Sequence, residues 1–391
     1  MIHNRYHLKG GEDRVFEDEV SMLRQQDHVV ELYEEDSAKI TGAFATLMVA
    51  LSLIFSIPSY IRVRKTIKRH KPDVVHVHNF FPLISPSVFY ACSSLGVPVV
   101  HTLHNYRSIC PTGLLLHEGK VNERSVKEGP FWTVPHKVYR SSLIGTLLLA
   151  VSIFVHQRIG TWRNKVDRYL ALTQFQRDKF VEAGWPADKI RVKPNFAQDR
   201  SLSEGDNGKS GGFTLFVGRL SHEKGVDLLM EAWEQIDSPL KIVGNGPLMD
   251  TLNSSANINV ECLGHLAKED VYRLMAQADL LVVASKCYEA FGLVIVEAFS
   301  CGTPVIAPAL GGMPEIIQDG ENGLLYEPGN VSDMQTKIVE LASNPERLER
   351  MGARARETYL RRYTESQNCE MLVTIYEELI CGECSLKESL Q

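Results

Sequence analysis

The chain has 391 residues, of which 44% are hydrophobic and 23% are charged. This balance is close to that of average soluble proteins, so it argues against collagen-like, coiled-coil and intrinsically disordered chains. At about 100–200 residues per domain, the length predicts two to three domains, with two favoured. The formal net charge is −6, which argues against a general nucleic-acid-binding protein.

Charge is divided unevenly along the chain. By count of Lys, Arg, Asp and Glu, residues 1–195 carry a net charge of +8 and the remainder carries −14. Such a split predicts two halves that face different partners. A basic half suits an anionic membrane or a phosphorylated acceptor, and drift in surface composition is the alternative.

Short apolar runs alternate with helical patterns in residues 1–195, which predicts βα units around a parallel sheet. The predicted strands are Val29–Tyr33, Asp73–His78, Pro98–His104, Arg168–Thr173 and Ile190–Lys193. The predicted helices are Gly11–Gln26, Pro86–Leu95, Gln174–Ala183 and two uncharged stretches. Only Met1 and Ile2 precede the polar segment HNRYHLKGGED, so we expect a stub in place of a first strand, from an upstream start or a trimmed chain.

The two uncharged stretches raise the question of a membrane. Thr41–Ile61 has 21 residues without a charge, long enough to span a bilayer, and Ser141–Gln157 is the second stretch. A crossing at the first stretch would put the neighbouring strands of one sheet on opposite sides of the membrane, so we reject it. Two interpretations remain. Each stretch is a buried helix covering the sheet, or an amphipathic helix lying on the membrane beside basic residues such as Arg62 and Lys65.

A second set of βα units follows a polar, glycine-rich segment, Ser201–Gly212, whose composition is that of a linker. The predicted strands are Thr214–Val217, Leu240–Val243, Asn259–Leu263, Leu280–Ala284 and Pro304–Ala307. The predicted helices are Val226–Gln235, Lys268–Gln277, Leu293–Ser300 and helical patterns over Val331–Ile380. The fold class is therefore α/β, with two Rossmann-like, doubly wound domains facing across a cleft.

The segment Ser285–Tyr326 carries two glutamates eight positions apart, Glu289 and Glu297. Gly292 stands between them, where a helix is predicted to begin. Free backbone N–H groups and the helix dipole at such a start favour an anion, typically a phosphate. The two carboxylates then suit sugar hydroxyls beside that phosphate. A surface loop with a capping glutamate is the alternative.

The loop GRLSHEKG (Gly218–Gly225) follows a predicted strand and offers two cations, Arg219 and Lys224. The planar guanidinium of Arg, with its paired N–H donors, and the compact ammonium of Lys together neutralise a diphosphate without a metal. The sequence contains no Asp-x-Asp, the usual carboxylate pair for a metal-bridged diphosphate. In VGNGP (Val243–Pro247) the third glycine of the dinucleotide fingerprint is replaced by Met249, so NAD binding is not predicted.

The basic half carries weaker signals. Lys9-Gly10-Gly11-Glu12 opens a predicted helix and is a second candidate phosphate-facing loop. His101 and His104 end a predicted strand, where a histidine binds substrate, takes a proton or has only a structural role. Cys381 and Cys384 form a C-x-x-C, but no second pair completes a zinc site, so no metal is expected.

Together these motifs resemble the retaining glycosyltransferases of family 4, the group 1 glycosyltransferases, which have the GT-B fold. The resemblance lies in the Glu289/Glu297 pair in EAFGLVIVEAFSCGTPVIA, in GGMPEII, NGLLY, GRLSHEKG and VGNGP, and in the Gly10-Gly11 pair. It covers essentially the whole chain and is more specific in the C-terminal half. The arrangement HNRYHLKGGED, DVVHVHNFFPLISPSVFYAC and HTLHNYRSICPTGLL further resembles bacterial members of polysaccharide-assembly type.

The resemblance implies a role for each singled-out residue. Arg219 and Lys224 would stabilise the departing diphosphate, Glu289 would hold donor-sugar hydroxyls and Glu297 the ribose. Gly218 in the Arg219 loop and Leu266 at the base are further implied donor contacts. Backbone groups of Phe291, Gly292 and Leu293 would meet the phosphates, and His104 would lie at the donor sugar. Gly10 and Gly11 would lie by the phosphates on the opposite wall.

The resemblance also implies how the domains divide the work. Residues 1–195 would bind the acceptor and residues 213–362 the nucleotide sugar, with 196–212 as the linker. A helix at about 363–380 would pack back on the first domain. The tail 381–391 has no implied role and is expected to be frayed or disordered.

The implied activity is metal-independent transfer of a sugar from a nucleotide-diphosphate sugar to a glycan or lipid-linked acceptor, with retained anomeric configuration, in cell-surface polysaccharide biosynthesis. The donor is a substrate, and no cofactor is expected. The alternatives are a transferase making a small soluble glycoside, a non-catalytic sugar-nucleotide-binding subunit, and an epimerase. We expect a cytoplasmic protein, either free or peripheral on the inner face of the plasma membrane through contact with anionic lipid, without a nucleic-acid partner.

Overall fold

A computed structural model describes residues 1–6, 10–39, 49, 52–200, 211–253 and 257–388. The chain divides into two compact units, which comprise residues 1–115, 122–194 and 368–391, and residues 116–121 and 195–367. Most of the uncharged stretch Thr41–Ile61 and of the predicted linker Ser201–Gly212 lies outside the described residues. No helix in the described part of the chain is long and apolar enough to cross a membrane.

The first unit contains a six-stranded parallel sheet. The strands up to residue 194 are β1 (Ile2–Arg5), β2 (Tyr33–Asp36), β3 (Val75–Val77), β4 (Val99–Thr102), the hairpin strands β5 (Leu116–His117) and β6 (Lys120–Val121), β7 (Arg168–Ala171) and β8 (Ile190–Val192). The order across the sheet is β2-β1-β3-β4-β7-β8. Strands β3 and β4 are buried at every position, because helices cover both faces of a parallel sheet.

Helices connect these strands. They are α1 (Gly11–Gln25), α2 (Ile57–His70), α3 (Ser87–Ser93), α4 (Arg124–Glu128), α5 (Leu143–Arg158), α6 (Thr161–Asn164) and α7 (Gln174–Glu182). The start of α2 shows how the sequence sets a boundary. The Ser56 hydroxyl accepts a hydrogen bond from the Ser59 N–H, and Pro58 occupies the first turn, where a missing N–H costs nothing.

The second unit repeats the plan with a six-stranded parallel sheet. Its strands are β9 (Thr214–Val217), β10 (Leu240–Val243), β11 (Val260–Gly264), β12 (Leu280–Val282), β13 (Val305–Pro308) and β14 (Gly323–Tyr326). Its helices are α8 (Val226–Trp233), α9 (Met249–Asn253), α10 (Lys268–Gln277), α11 (Leu293–Ser300), α12 (Met313–Ile316), α13 (Val331–Ala342) and α14 (Pro345–Arg362). The order β11-β10-β9-β12-β13-β14 is that of a Rossmann sheet.

The last helix, α15 (Glu365–Glu388), belongs from residue 368 to the first unit. Its Asn368 side chain donates a 2.6 Å hydrogen bond to the Pro194 carbonyl. Its Tyr376 hydroxyl lies 2.6 Å from His76 Nδ1, next to the first sheet. The chain therefore returns to the first unit after completing the second.

Two sequence predictions are corrected by the structure. The predicted strand Val29–Tyr33 is wrong, because β2 begins at Tyr33, and Val29 is 92% exposed. In place of the expected stub lies the strand β1, which is paired with β2 on one side and β3 on the other. The helical backbone of α15 continues over residues 381–388.

Candidate active site

The second unit offers a candidate site at the carboxyl ends of β9 and β12. These strands are neighbours, and their connections leave toward opposite sides of the sheet. Such a switch point opens a crevice that binds ligands in doubly wound folds. The loops Gly218–Gly225 and Val283–Gly292 begin here, and they carry the residues singled out in the sequence.

Lys224 and Glu289 meet at this point. Lys224 Nζ lies 2.6 Å from Glu289 Oε1, and the Ser285 hydroxyl donates to the same oxygen at 2.6 Å. Burial raises the pKa of the Glu289 carboxyl, but the charge of Lys224 and the hydrogen bonds from Lys224 and Ser285 together outweigh burial, so the net shift of the pKa is downward. Burial lowers the pKa of Lys224 and the Glu289 carboxylate raises it. The net shift of the Lys224 pKa is upward. Both groups are therefore charged near neutral pH.

The two loops are also tied together beyond this pair. The Lys286 N–H donates to the Glu223 carbonyl at 2.9 Å, and Lys286 Nζ lies 2.5 Å from Asp227 on α8. These contacts flank Lys224 and Glu289 in the sequence. They fix the separation of the two loops, so the charged pair is held by its surroundings as well as by its own attraction.

Two glycines allow the backbone to pack closely around the site. A Cβ at Gly225 would lie 1.8 Å from the Ala284 carbonyl oxygen, and Gly225 has φ +69° at the start of α8. A Cβ at Gly244 would lie 1.8 Å from the Gly218 carbonyl oxygen. The G-x-G of VGNGP is thus explained by packing against the Arg219 loop, without a dinucleotide.

Arg219 lies in the same loop as Lys224 and is exposed. Among the described residues it has no ion-pair partner. Gly218 before it donates its N–H to the Val243 carbonyl at 3.0 Å. The structure therefore places one cation paired with Glu289 and a second one open to solvent at the end of β9.

The second glutamate of the pair lies deeper. Glu297 is 5% exposed on α11, and its Oε1 accepts a 3.3 Å hydrogen bond from the Tyr272 hydroxyl. Gly292 has φ +85° at the start of α11. Phe291 is buried against Tyr363, so only its backbone is placed to meet a ligand. Leu293, the first residue of α11, and Leu266, in the loop after β11, are both half-buried.

The first unit holds a pocket at the carboxyl ends of β3 and β4. Its polar lining is supplied by Tyr6, His78, Asn79, His101, His104, Asn105 and Arg107. Its apolar wall includes Phe81, Leu149 and Ile153, with Leu149 and Ile153 from α5. The Arg107 guanidinium stacks over the Phe81 ring at 4.9 Å. A concave site with an apolar wall and a few convergent polar groups suits a small molecule or sugar.

Gly10 and Gly11 open α1 and are exposed. The Gly10 N–H donates to Asp13 Oδ2 at 2.8 Å, so one of the free amides of this helix is already capped. Glu12 follows, with Asn105 Nδ2 3.3 Å from its Oε2. Burial, together with the Asp13 charge, raises the pKa of Glu12 to about 7.

His104 lines the pocket, and its Nε2 lies 3.0 Å from His78 Nδ1. Burial lowers the pKa of both imidazoles, so both are neutral at pH 7. The structure therefore brings Lys224 and Glu289 together in one unit, and places His104 in a pocket of the other unit that Asn79 and Asn105 also line.

Sequence reasoning did not single out several groups that the structure places at these sites. Ser285 is the first residue of the segment Ser285–Tyr326, and it stands four positions before Glu289. That spacing could have indicated a contact between the two side chains. Glu12 was visible after the glycine pair. His78, Asn79 and Arg107 gave no local signal, because their proximity depends on how β3 and β4 pair.

Both halves of the chain match known protein families. Residues 9–199 match the family described as Glycosyltransferase Family 4, and residues 199–358 match Glycosyl transferases group 1. The chain belongs to the group 1 glycosyltransferases. The predicted family is confirmed, and its members are transferase enzymes.

Two curated relatives of this glycosyltransferase chain carry similar descriptions. An uncharacterized glycosyltransferase, MJ1178 of Methanocaldococcus jannaschii, is 38% identical over 172 residues, which are 43% of this chain and 48% of that protein. The sulfoquinovosyl transferase SQD2 of Arabidopsis thaliana is 26% identical over 309 residues, 76% of this chain and 55% of that protein. The matches span about half the length of these relatives.

A solved structure, Anabaena Alr3699/HepE in complex with UDP, superposes with a TM-score of 0.68 at 19% identity, covering 97% of this chain and 99% of that one. The same Anabaena protein has also been solved with UDP-glucose. This likeness shows the fold, so the predicted GT-B class with two Rossmann-like domains is confirmed.

Proposed function

We propose that the chain transfers a sugar from a nucleotide-diphosphate sugar to a glycan or lipid-linked acceptor. The observation that carries this proposal is the Lys224–Glu289 pair at the switch point of the second sheet, 2.6 Å apart, with Arg219 open beside it. Membership of the group 1 glycosyltransferases supports it. UDP and UDP-glucose in the Anabaena structures support a uridine nucleotide sugar as the first donor to try.

The proposed chemistry is electrostatic. Transfer breaks the bond between the anomeric carbon and the diphosphate oxygen and forms a bond to an acceptor hydroxyl oxygen, whose proton passes to the departing diphosphate. Positive charge grows on the sugar and negative charge on the diphosphate. Lys224 and Arg219 would stabilise the leaving diphosphate, together with backbone N–H groups at Gly292 and Leu293.

Glu289 is placed to hold a sugar hydroxyl. Both hydrogen bonds that it makes with described side chains end at Oε1, so Oε2 stays available as an acceptor. Its charge is balanced by Lys224 and is not free to attack the sugar. We therefore assign Glu289 to donor binding and not to a covalent intermediate. Retention of anomeric configuration is proposed from the family resemblance alone.

We propose that no metal is required. The sequence has no Asp-x-Asp, and the two cations at the end of β9 supply positive charge without an ion. Activity that survives a chelator is the expected result, and activity that requires added Mg²⁺ or Mn²⁺ would contradict this part of the proposal.

We propose that the first unit also touches a membrane. Helix α5 buries the polar residues Thr146, Ser152 and His156, while Leu143, Ile144 and Leu147 are 39–65% exposed. Exposed apolar groups on one stripe of a helix favour an interaction surface. Ile57 and Ile61 on α2 are also exposed, and α2 ends in a basic segment, as anionic lipid requires.

A membrane contact fits a lipid-linked acceptor, a bacterial polysaccharide-assembly role and a location on the inner face of the plasma membrane. All three remain parts of the proposal. A transferase that makes a small soluble glycoside would need no such surface. That alternative is tested below by product analysis.

The proposed function is tested by product analysis. The purified chain is incubated with UDP-[¹⁴C]glucose, and then with other nucleotide sugars, in the presence of a bacterial lipid extract and in its absence. We expect label in a lipid-extractable glycoside only with the extract. Label in a water-soluble glycoside would support the small-product alternative. A free epimer of the donor sugar, or no product with any donor, would contradict the transferase proposal.

A further inference from the structure

Arg107 gives the pocket of the first unit a positive charge. The histidines that line this pocket, His78, His101 and His104, add none, because burial lowers the pKa of each and leaves it neutral at pH 7. In the described part of the chain, no carboxylate lies within ion-pair distance of the Arg107 guanidinium. The charge of this pocket is therefore open to an anion.

Glu12 is the acidic group that senses this charge. Burial and the charge of Asp13 raise the pKa of Glu12 to about 7, although the charge of Arg107 acts in the opposite direction. At pH 7, Glu12 is therefore ionised in only about half of the molecules. It cancels the charge of Arg107 only in part.

The Arg107 guanidinium is held by aromatic rings more than by hydrogen bonds. Its Cζ lies 4.9 Å from the centre of the Phe81 ring and 5.8 Å from that of the Tyr139 ring. It donates a hydrogen bond 3.4 Å long to the Pro111 carbonyl, and its charge acts on the nearby Tyr6 hydroxyl. These contacts engage only part of the five N–H donors of a guanidinium, whose geometry matches the oxygens of a phosphate or carboxylate.

The loop that carries Arg107 is anchored in the core. Tyr106, Ile109 and Cys110 are each at most 5% exposed, and the Cys110 N–H donates to the Tyr106 carbonyl at 2.8 Å. Arg107 and Ser108 are the half-buried residues between these anchors, and both line the pocket. The loop thus presents a cation and a hydroxyl side by side.

Tyr139 connects this pocket to the start of α5. Its N–H donates to the Thr146 hydroxyl of α5 at 3.0 Å. The exposed apolar residues of α5 begin at Leu143 and Ile144, which are 47% and 65% exposed. Arg107, stacked on Tyr139, therefore lies close to the end of α5 that is proposed to meet the membrane.

We propose that this pocket binds the phosphate group of a lipid-linked acceptor, with Arg107 as the counter-charge and Ser108 as a neighbouring hydrogen-bond donor. The apolar chain of the lipid would stay beside the exposed residues of α5, so only the head group has to enter the pocket. This inference rests on the proposed function and names the chemical class of its acceptor. A soluble phosphate ester offers the same anion but has no chain to contact α5.

The competing role for Arg107 is to brace its own loop. A Cβ at Gly113 would lie 2.8 Å from Arg107 Nη2, so the guanidinium packs closely against this loop. A brace predicts that substitution of Arg107 lowers the Tm and changes the affinities for charged and uncharged ligands equally. A phosphate site predicts that only the affinity for the charged ligand falls.

Calorimetric titration of the full chain with three small probes, without vesicles or nucleotide, tests the proposal. Geranyl phosphate carries a phosphate and an apolar chain, geraniol lacks the phosphate, and glycerol 3-phosphate lacks the chain. We expect geranyl phosphate to bind at least about tenfold more tightly than either, since a hydrogen bond to a charged group is worth about that factor. Equally tight binding of geraniol, or no binding of geranyl phosphate, would overturn the phosphate site. Equally tight binding of glycerol 3-phosphate would overturn the lipid as the source of the phosphate.

Variants of Arg107 locate the site. Arg107→Gln should lower the affinity for geranyl phosphate about tenfold and leave that for geraniol unchanged, and Arg107→Lys, which keeps the charge, should recover part of the loss. Arg140→Gln is the matched control, because Arg140 also stacks on the Tyr139 ring, at 5.5 Å, but is exposed and does not line the pocket. Equal losses in Arg107→Gln and Arg140→Gln, or equal losses for geranyl phosphate and geraniol, would refute the site. If Arg107→Gln does not fold, Arg107→Lys and the wild-type titrations decide the point.

This test and that of the proposed function fail separately. A chain that transfers label from a nucleotide sugar but does not bind geranyl phosphate would refute this inference alone. A chain that binds geranyl phosphate through Arg107 but transfers no sugar would refute the proposed function and leave the phosphate site intact.

Discussion

At the scale of single residues, the proposed stabilisation of the leaving diphosphate depends on the ion pair of Lys224 and Glu289. Their side chains are 33% and 16% exposed, so their attraction is less screened than that of a surface pair. Removing the cation takes away the charge proposed to stabilise the leaving group. It also leaves the Glu289 carboxylate half-buried without its partner.

We therefore expect Lys224→Met to lower the turnover rate about a hundredfold, a loss typical of one transition-state donor. The rate of label transfer from the nucleotide sugar is the measurement. Glu289→Ala should lose a similar factor. Lys241→Met is the matched control, because Lys241 is 30% exposed, also neighbours a glutamate and lies on β10. Near-normal turnover in Lys224→Met would contradict the site assignment.

Glu12 gives a prediction on pH. Its folded pKa of about 7 lies above the ordinary value of 4.5, so the folded state holds the proton more tightly than the unfolded state. This group therefore makes the free energy of unfolding decrease as pH rises from about 4.5 to 7, and contributes no further change above that range.

Glu12→Gln keeps a neutral side chain at every pH and removes this decrease. Urea unfolding at pH 5 and pH 8 should show the variant gaining stability relative to the wild type at pH 8 only. If the free energies of unfolding of Glu12→Gln and the wild type differ equally at both pH values, the pKa of Glu12 is not raised.

At the scale of elements, the turn into α8 depends on one glycine. Gly225 combines φ +69° with a backbone contact that excludes a Cβ. Gly320 has a similar φ of +82° but open space around it. An L-residue in this region costs about 1–2 kcal/mol, and this is all that Gly320→Ala should lose.

Gly225→Ala should lose clearly more, because the Ala284 carbonyl must also move. Urea midpoints of the two variants and the wild type give the comparison. Equal losses would mean that the loop and the end of β12 adjust freely, and that the site is less rigid than described.

Helices α5 and α2 are the elements proposed to meet a membrane. Replacing Ile144 and Leu147 with Ser should reduce co-sedimentation with vesicles of anionic phospholipid. The paired control replaces Val339 and Leu360, exposed apolar residues of the second unit. Equal binding of all three proteins would refute the proposed surface.

The basic face of α2 has its own test. Replacing Arg62, Arg64, Lys65 and Lys68 with Ser should weaken binding to anionic vesicles, more at low salt than at high salt. Unchanged binding would mean that these residues are merely solvated.

Strands could be predicted from the sequence where their burial requires a run of apolar residues. Strands β9 and β10 have the predicted bounds, because apolar runs end there at turn residues. Strand β2 was missed because it lies at the edge of its sheet, and its side chains YEED are half-buried or exposed. An edge strand does not need an apolar run, so local hydrophobicity pointed to Val29–Tyr33 instead.

At the scale of the whole molecule, the sequence motifs located Lys224 and Glu289 but not the buried ion pair of Lys193 and Glu19. Motifs are local, and both residues lie in loops that follow predicted strands. This ion pair joins two residues 174 positions apart through the order of strands in the first sheet. That order and the return of α15 beside His76 are tertiary features that no local pattern carries.

The central claim is that this chain binds a nucleotide-diphosphate sugar without a metal, through Lys224 and its loop. Thermal unfolding of the wild type and Lys224→Met, with a panel of nucleoside diphosphates and EDTA, tests it most directly. A ligand at 100 times its Kd adds about 2.7 kcal/mol of stability. We predict that at least one diphosphate raises the Tm of the wild type, that EDTA leaves this shift intact, and that Lys224→Met loses it. A rise in Tm that requires a metal, or one that persists in Lys224→Met, would contradict this claim. So would a Tm that no nucleotide raises.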